Sequence, residues 1–293
     1  MALLLLLLYQ VDLGEIEVAL RDADYSLLAP SIAIYFVAVW FRAARWRFLL
    51  APLSVIPVRR LYPVVIVGYM ANNLLPVRLG EVVRSYLLAR QENLNTSSTL
   101  ATIAVERVYD GITLLAFAAL AAPWLLLLGE FDGAADVSRT AGLMFLAGII
   151  LAFSVFLAVF TLLGSSASFA NRIESWLNIV PAGPRPKVKE LFRTFVAGLA
   201  VLNSPGKHLA LFIYSLPVWL LEGSMYFMLA YAFGIDEYFG SVWVLLLVSL
   251  LLTATSNLAT SIPSAIGGIG PFEIVAQQTL MALGVGASRA GAY

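Results

Sequence analysis

Two stretches of this chain place proline, glycine and a carboxylate where the neighbouring residues would otherwise continue a membrane helix. They lie at 72–81 and 260–273, and in both a glycine follows the proline by four positions. Paired breaks in the two halves of an apolar chain are typical of transporters built from inverted repeats, whose substrate site lies near the middle of the membrane. We therefore expect an all-α polytopic membrane protein with repeats at about 1–128 and 141–293, each containing a re-entrant helical hairpin.

Long apolar segments support this fold class. Hydrophobic residues make up 61% of the chain and charged residues 12%, whereas roughly a quarter of the residues in soluble domains are charged. Several segments reach the roughly 20 apolar residues that a helix needs to cross a bilayer. Spanning helices are predicted near 27–50, 100–128, 141–163, 209–233 and 239–260. The apolar start, 1–11, is too short to span and is interpreted as the end of a first helix.

The charges are sorted between two sets of connections, although the formal net charge is zero. The connections at 12–24, 130–139 and 236–237 are mainly acidic, and those at 42–60, 78–90 and 172–207 are mainly basic. Lys and Arg in short loops mark the cytoplasmic side of a membrane protein. We therefore expect a multi-pass protein of the inner (plasma) membrane whose basic loops are cytoplasmic.

The apolar segment 61–75 lies between two of the basic connections. Fifteen helical residues rise only about 22 Å, which is short of a crossing, so we predict a hairpin that enters and leaves on the cytoplasmic side. The matching hairpin would be 239–284, entering from outside. A plain crossing at 239–260 is the alternative, and only Arg289 is available to choose between the two.

The longest polar insertion is 164–207, which is rich in Lys and Arg and carries apolar residues at helical spacing. It is interpreted as a cytoplasmic amphipathic connection that either lies on an anionic leaflet or packs on the protein as a solvated loop. Because no separate soluble domain is indicated, 1–293 is expected to form a single transmembrane domain.

The strongest local signal is a group of three ionisable residues, Glu106, Arg107 and Asp110, within the apolar run 100–128. Residues three and four apart share one side of a helix, and an ionisable side chain deep in the bilayer costs at least roughly 2.5–3.5 kcal/mol and needs a partner. The group is predicted to contact substrate. The alternative is a salt-bridge cluster that only locks helices together.

Three charged residues lie at the end of the first break or just after it: Arg78, Glu81 and Arg84. Arg78 lies on the break itself and is the best phosphate ligand, because the arginine fork donates two hydrogen bonds at once. Glu81 and Arg84 are included in the predicted substrate site. For both arginines, interfacial snorkelling toward headgroups is the competing interpretation; the functional role is favoured for Arg78 and snorkelling for Arg84.

Both breaks also offer polar or flexible backbone positions. Asn72 and Asn73 are costly in an apolar run unless they are hydrogen-bonded, so they either contact substrate or bridge backbone groups freed by the turn. Gly267, Gly268 and Gly270 allow backbone N–H groups to point at an anion. All five are predicted as substrate-binding residues.

Two further carboxylates lie in predicted membrane segments. Glu222 and Glu273 could each carry a coupling proton, with Glu273 also counted in the substrate site, or could hold a helix N–H group or a neighbouring arginine. Catalytic motifs are missing: the chain has no cysteine and one histidine, His208, which is expected at the cytoplasmic surface. The sequence therefore predicts no catalytic residue, no metal site and no cofactor.

At these motifs the chain resembles the flippase-like integral membrane family that includes the transmembrane region of bacterial lysylphosphatidylglycerol synthase. The matching features cover almost the whole chain in the family's order: Arg45-Trp46, Asn72-Asn73 through Pro76, Arg78, Gly80, Glu81 and Arg84, Glu106-Arg107 with Asp110-Gly111, and Pro263 through Gly267-Gly268, Gly270 and Glu273. The soluble aminoacyl-transfer domain of the synthase is not expected in this chain, so the resemblance does not imply synthesis of a lysyl lipid. The family pattern also continues into one more apolar helix after Arg289, so the final helix of the second repeat is expected to be missing.

The resemblance implies a lipid translocase (a flippase-like transporter) that moves an anionic phospholipid or a lipid-linked precursor between leaflets. The alternative is a membrane-embedded transferase acting on a lipid-linked glycan or a phospholipid headgroup, because some relatives are associated with glycosylation of lipid carriers. Membrane lipids, either anionic phospholipid or polyprenyl-phosphate-linked substrate, are the expected partners. Nucleic acid is not expected, and a homodimer remains open.

Overall fold

The computed structural model describes the chain at 13–75, 79–131, 151, 154–155, 158–159, 161–199, 204–260 and 270–293. These ranges contain helices, turns and no β-strand, which confirms the predicted all-α class. The described α-helices of six or more residues are α1 (Leu13–Asp22), α2 (Leu28–Leu50), α3 (Val58–Leu74), α4 (Gly80–Glu92), α5 (Thr96–Leu128), α6 (Ala167–Trp176), α7 (Arg185–Gly198), α8 (Pro205–Ala232), α9 (Val242–Ala259), α10 (Pro271–Ala282) and α11 (Ala287–Ala292).

Four of these helical segments are long and apolar enough to cross a membrane: Tyr25–Leu50, Thr96–Leu128, Gly206–Ala232 and Val242–Ala259. They correspond to four of the predicted spans, and the protein is accordingly a multi-pass membrane protein. The fifth predicted span, 141–163, lies largely outside the described residues, as does the apolar start at 1–11.

Helices α2 and α8 form a long antiparallel pair. The Asp24 N–H donates to the Ala232 carbonyl at 2.9 Å at one end, and the rings of Phe48 and Tyr214 lie 5.6 Å apart near the other. Residue numbers therefore rise along one helix as they fall along the other. The acidic residues Asp236 and Glu237 follow α8 at the end near Asp24, and the opposite end leads into α3.

Helices α3 and α4 pack side by side and antiparallel. The Arg60 and Glu92 side chains meet at 3.3 Å where the pair opens, and at the other end the Gly80 N–H donates to Asn72 Oδ1 at 2.9 Å. A Cβ at Gly80 would lie 2.1 Å from the Gly68 carbonyl oxygen, so this close approach requires glycine. The connecting residues 76–78 lie outside the described part of the chain.

Helices α9 and α10 form the second pair. The Thr255 and Thr279 hydroxyls lie 3.1 Å apart, and Val285, just after α10, packs in one apolar cluster with Phe239, just before α9. Gly270 adopts φ +108°, a conformation that favours glycine, and its N–H donates to Glu273 Oε2 at 2.7 Å to begin α10. Residues 261–269 lie outside the described ranges.

The two helix pairs open at opposite ends of the α2–α8 pair. The α3–α4 pair starts where α2 ends, and the α9–α10 pair starts where α8 ends, which is the end at which α2 begins. In each pair, the first helix begins and the second helix ends at the same end of the molecule. The depth of the pairs in a bilayer, and the division into inverted repeats, stay predictions.

The connection at 164–207 is helical at α6 and α7. Ile173 and Phe192 pack against the main apolar cluster, whereas Trp176 and Ile179 are 63% and 89% exposed. Arg193 bridges the two helices by donating to both carboxylate oxygens of Glu174, at 2.9 and 2.8 Å. The connection therefore combines packing on the protein with an exposed apolar face, and its cytoplasmic location stays a prediction.

Candidate functional site

The Glu106 carboxylate, on α5, is the centre of a buried charge network. Its side chain is fully buried. Arg84 of α4 donates to both of its oxygens, at 3.2 and 3.0 Å, and stacks over the Trp46 ring at 3.7 Å. Arg45 of α2 lies 3.2 Å from the same carboxylate. Three helices are therefore joined at one anionic side chain.

Asp110, one turn further along α5, extends the network toward α8. Its Oδ1 accepts from Arg45 Nη1 at 2.7 Å and from the Trp219 indole N–H at 2.9 Å. Arg45 also donates to Ser215 Oγ at 2.7 Å. Because Ser215 and Trp219 are both on α8, this carboxylate binds the first half of the chain to the second.

Arg42 and Glu222 form a second link between α2 and α8. They make a direct ion pair, and Arg42 also donates to the Tyr69 hydroxyl of α3. The guanidinium lies 5.2 Å from the centroid of the Tyr69 ring and 5.0 Å from that of Trp219. Aromatic faces at this distance favour a cation, so the arginine is held on several sides.

Arg107 is the most exposed arginine of the network. Its side chain is 29% exposed, compared with 7% for Arg42, 0% for Arg45 and 5% for Arg84. It contacts Glu106 at 3.0 Å and Asp110 at 3.3 Å, while Glu81, itself 28% exposed, lies 3.5 Å from its Nε. That Nε is buried and has no hydrogen-bond partner.

The charges of this network balance. Among the described residues it contains four arginines and four carboxylates: Arg42, Arg45, Arg84, Arg107, Glu81, Glu106, Asp110 and Glu222. Removing one partner of a buried ion pair is strongly destabilising, because the other charge is left uncompensated. The loss of a fully buried member such as Glu106 is therefore expected to lower the stability of the fold.

A cavity of about 230 Å³ adjoins the network. It is lined by residues of α2, α3, α5, α8 and the end of α9: Tyr35, Arg42, Tyr69, Arg107, Asp110, Gly111, Leu114, Trp219, Glu222, Asn257, Leu258 and Thr260. Tyr69 is near the closed end of the first helix pair, and Thr260 directly follows α9. The cavity therefore lies where the closed ends of the two pairs approach one another.

The predicted site residues divide into three groups. Five of them lie together in the network: Glu81, Arg84, Glu106, Arg107 and Asp110. Glu222 lines the same cavity as Arg107 and Asp110. Asn72 bonds the backbone of Gly80, Glu273 bonds that of Gly270, and Asn73 is exposed. Arg78, Gly267 and Gly268 lie outside the described residues.

Snorkelling was the wrong interpretation of Arg84. Its side chain is 5% exposed and points to Glu106, because one turn of α4 carries it toward α5 and away from the surface. The bidentate pair with a buried carboxylate binds it more firmly than headgroup contact at an interface would.

Sequence reasoning missed the inward role of Arg42 and Arg45, which it counted with the basic connections. Both are buried. Arg42 and Arg45 are three residues apart and therefore share one face of α2, whereas the exposed Arg47, two positions further on, is on another face. This spacing is the signal that could have distinguished the two buried arginines from Arg47. Tyr69, Trp219 and Asn257 carried no comparable signal, since aromatic and amide residues are common in apolar helices.

Comparisons with known proteins agree that the chain is a membrane protein. Residues 1–293 match the family model described as "Lysylphosphatidylglycerol synthase TM region". The chain is 27% identical over 293 residues to the glycosyltransferase AglD of Haloferax volcanii, covering 94% of this chain and 46% of that protein. It thus spans about half the length of that relative.

Two relatives from Methanothermobacter thermautotrophicus are each described as a UPF0104 membrane protein. One is 27% identical over 273 residues, covering 89% of this chain and 76% of the relative. The other is 22% identical over 304 residues, covering 99% and 84%. No solved structure matches.

Proposed function

We propose that this chain, which belongs to the family of the lysylphosphatidylglycerol synthase transmembrane region, is a lipid translocase that moves an anionic phospholipid or a lipid-linked precursor between leaflets. Family membership supports a lipid-related function at a membrane. The observation that carries the finer proposal is the polar cavity between the closed ends of the two helix pairs, bordered by Arg42 and Arg107.

The size of the cavity suits part of a lipid rather than all of it. About 230 Å³ is below the roughly 300–1,000 Å³ of pockets that enclose a drug-sized molecule. A phosphate-bearing headgroup would therefore enter the polar cavity while its acyl or prenyl chains stay in the surrounding lipid.

Arg107 is the arginine that we assign to the phosphate. It lines the cavity, is partly exposed and has a buried Nε without a hydrogen-bond partner. In the substrate-free arrangement its outer contact is the carboxylate of Glu81, 3.5 Å away. An entering phosphate would replace that carboxylate with stronger, bidentate hydrogen bonds.

Glu81 would couple headgroup binding to the start of α4, while the rest of the first helix pair keeps its place. This residue is in the first turn of α4, at the end of the first break. Release of Glu81 from Arg107 would free the start of α4, while Arg84, one turn on, stays clamped by Glu106. The headgroup would thus act on the break through its competition with a carboxylate.

Glu222 is the better of the two candidates for a coupling proton. It lines the cavity and faces Arg42 of α2 and the Arg107 and Asp110 side chains of α5, whereas Glu273 is engaged with the backbone at the start of α10. When an anionic headgroup enters the cavity, a proton taken up by Glu222 would keep the total charge of headgroup and network at zero. Glu222→Gln should then remove the pH dependence of transport without abolishing transport itself.

The direct test is leaflet exchange of a fluorescent anionic phospholipid in liposomes containing the protein. We expect exchange well above that of protein-free liposomes. Arg107→Lys, which keeps the charge but loses bidentate contact, should slow exchange about tenfold with little change in thermal midpoint.

Arg59→Lys is the matched control, because Arg59 is exposed at the start of α3, outside the cavity. Exchange no faster than in empty liposomes would contradict the translocase proposal. Normal exchange with a lowered thermal midpoint in Arg107→Lys would leave Arg107 as a structural bridge alone.

A membrane transferase is the second candidate, favoured by the similarity to a protein described as a glycosyltransferase over 94% of this chain. That reading expects product formation when a sugar donor and a lipid carrier are supplied. Exchange of lipid without any donor supports the translocase, whereas donor-dependent product with no exchange supports the transferase.

A further inference from the structure

A second, larger groove lies on the opposite side of α2 from the charge network. Its volume is about 610 Å³, and it is lined by residues of α2, of the segment that follows it, of the start of α3 and of α8. The principal wall residues are Trp40, Phe41, Ala44, Arg47, Phe48 and Tyr214. Neither the network nor the cavity beside it includes any of these side chains.

Helical periodicity separates the two sides of α2. Arg45 and Trp46 face inward and are fully buried, while Ala44, Arg47 and Phe48 face the groove. Residues three and four apart fall on one face of a helix, so the residues at 40, 44, 47, 48 and 51 form one continuous strip. The groove therefore follows one face of α2 and does not depend on the conformation of a single loop.

The groove is apolar and aromatic except for a single charge. Trp40 and Tyr214 are 49% and 40% exposed, and the Phe48 and Tyr214 rings pack at 5.6 Å. Arg47 is the one charged residue among those lining it, and no acidic residue lines it. Arg47 is exposed and makes no ion pair with the described residues.

The aromatic wall extends from the charged residue toward the middle of α2. Arg47 is close to the end of α2, from which the basic connections follow, and Trp40 is seven residues further into the helix. Seven helical residues rise about 10 Å. A phosphate at Arg47 would therefore have its acyl chain running along the aromatic wall toward the middle of the membrane.

We propose that this groove is a binding site for an anionic phospholipid, with the lipid phosphate at Arg47 and one acyl chain against Trp40, Phe48 and Tyr214. A zwitterionic lipid is less suited because its ammonium group would be near the arginine, whereas an anionic headgroup brings only negative charge. The site is separate from the cavity, and this inference does not rest on the proposed function.

The test is native mass spectrometry of the full chain released from mixed micelles that contain phosphatidylglycerol and phosphatidylcholine with identical acyl chains in equal amounts. We expect one phosphatidylglycerol molecule to be retained in preference to phosphatidylcholine. A charge near a membrane surface contributes about 1 kcal/mol toward an anionic lipid, so Arg47→Gln should weaken phosphatidylglycerol binding about fivefold and remove the preference.

Two variants make the result specific to the groove. Arg59→Gln removes one exposed arginine at the same end of the molecule but outside the groove, and it should leave the preference unchanged. Ala44→Trp fills the groove and should reduce retention of both lipids, with a thermal midpoint close to that of the wild type.

Equal losses in Arg47→Gln and Arg59→Gln would overturn the proposal, because the effect would then be general surface charge. Unchanged retention in Ala44→Trp would place the lipid elsewhere. A dimer mass that disappears in Ala44→Trp would show that the groove holds a second copy of this chain, which also overturns it. Leaflet exchange is not measured here, so failure of this site and failure of the translocase proposal are separate results.

Discussion

The two helix pairs have similar outlines but different attachments. The first consists of helices of 17 and 13 residues and the second of helices of 18 and 12 residues. Two ion pairs, through Arg84 and Glu81, join the first pair to α5. In the described part of the chain no ion pair joins α9 or α10 to a neighbouring helix; they are held by apolar packing and by hydroxyl and amide contacts.

This difference indicates which pair is free to move. A buried ion pair has specific geometry, and displacing one partner leaves an uncompensated charge. Apolar surfaces and hydroxyl groups can shift to neighbouring positions at lower cost. We therefore expect the first pair to keep its place through the Arg84 clamp, and the second pair to undergo most of any opening around the cavity.

The largest effect should come from breaking the clamp. Glu106→Gln leaves Arg84 without its buried counter-charge and Arg45 with Asp110 alone, and it should lower the free energy of unfolding by about 4 kcal/mol, measured by thermal unfolding in detergent. Glu92→Gln is the control, because Glu92 pairs with Arg60, whose side chain is 63% exposed. Equal shifts in the two variants would show that the first pair is not held by its charges.

A smaller decrease in the free energy of unfolding is expected when the two helices of the first pair are forced apart. Gly80→Ala introduces a Cβ that would meet the Gly68 carbonyl at 2.1 Å and Asn72 Oδ1 at 2.5 Å, and it should cost about 2 kcal/mol through backbone displacement. Gly183→Ala is the control, since a Cβ there meets no atom within 4 Å. A thermal midpoint identical to that of the control would contradict the close approach.

At the second pair the corresponding change should be mild and local. Glu273→Ala removes the acceptor for the Gly270 N–H and should cost about 1 kcal/mol. Hydrogen exchange should rise in α10 and stay unchanged in α4. Gln278→Ala, on the exposed side of the same helix, is the control, and a rise that reaches α4 would show that the two pairs move as one.

The smallest effect is expected outside both pairs, at Glu174. The hydrogen bonds from Arg193 lower the pKa of this carboxyl below its ordinary value. The Glu174–Arg193 pair therefore stabilises the folded state at pH values above the pKa that Glu174 has in the unfolded chain, about 4. This stabilisation is lost as the pH falls through the lower pKa of Glu174 in the folded state. The difference in thermal midpoint between wild type and Glu174→Gln should shrink on acidification. A difference that is constant from pH 7 to pH 3 would remove Glu174 as its source.

The sequence predicted the four long apolar helices and six of the eight residues of the network, for identifiable reasons. Long apolar runs define α2, α5, α8 and α9, and three ionisable residues in one such run mark Glu106, Arg107 and Asp110. Arg42 and Arg45 were missed because all the arginines near this helix end were assigned to the interface. The spacing of three separates them from Arg47, but it does not say whether their face of the helix points inward or to the interface. The partners that decide between these orientations, Asp110 and Glu222, are 65 and 180 residues away in the chain, and no local pattern contains them.

The Arg42–Glu222 pair has a consequence for how the protein is made. Synthesis proceeds at roughly 5–20 residues per second, so the ribosome needs about 10–40 seconds to reach Glu222 after Arg42 has left it. During that interval α2 reaches the membrane with a guanidinium whose eventual counter-ion does not yet exist, at an insertion cost of about 2.5–3.5 kcal/mol. The nascent helix must therefore be retained by the insertion machinery, or lie shallowly with its arginines at the headgroups, until α8 arrives. Slowing translation between α2 and α8 should then reduce yield far more than slowing it after α8.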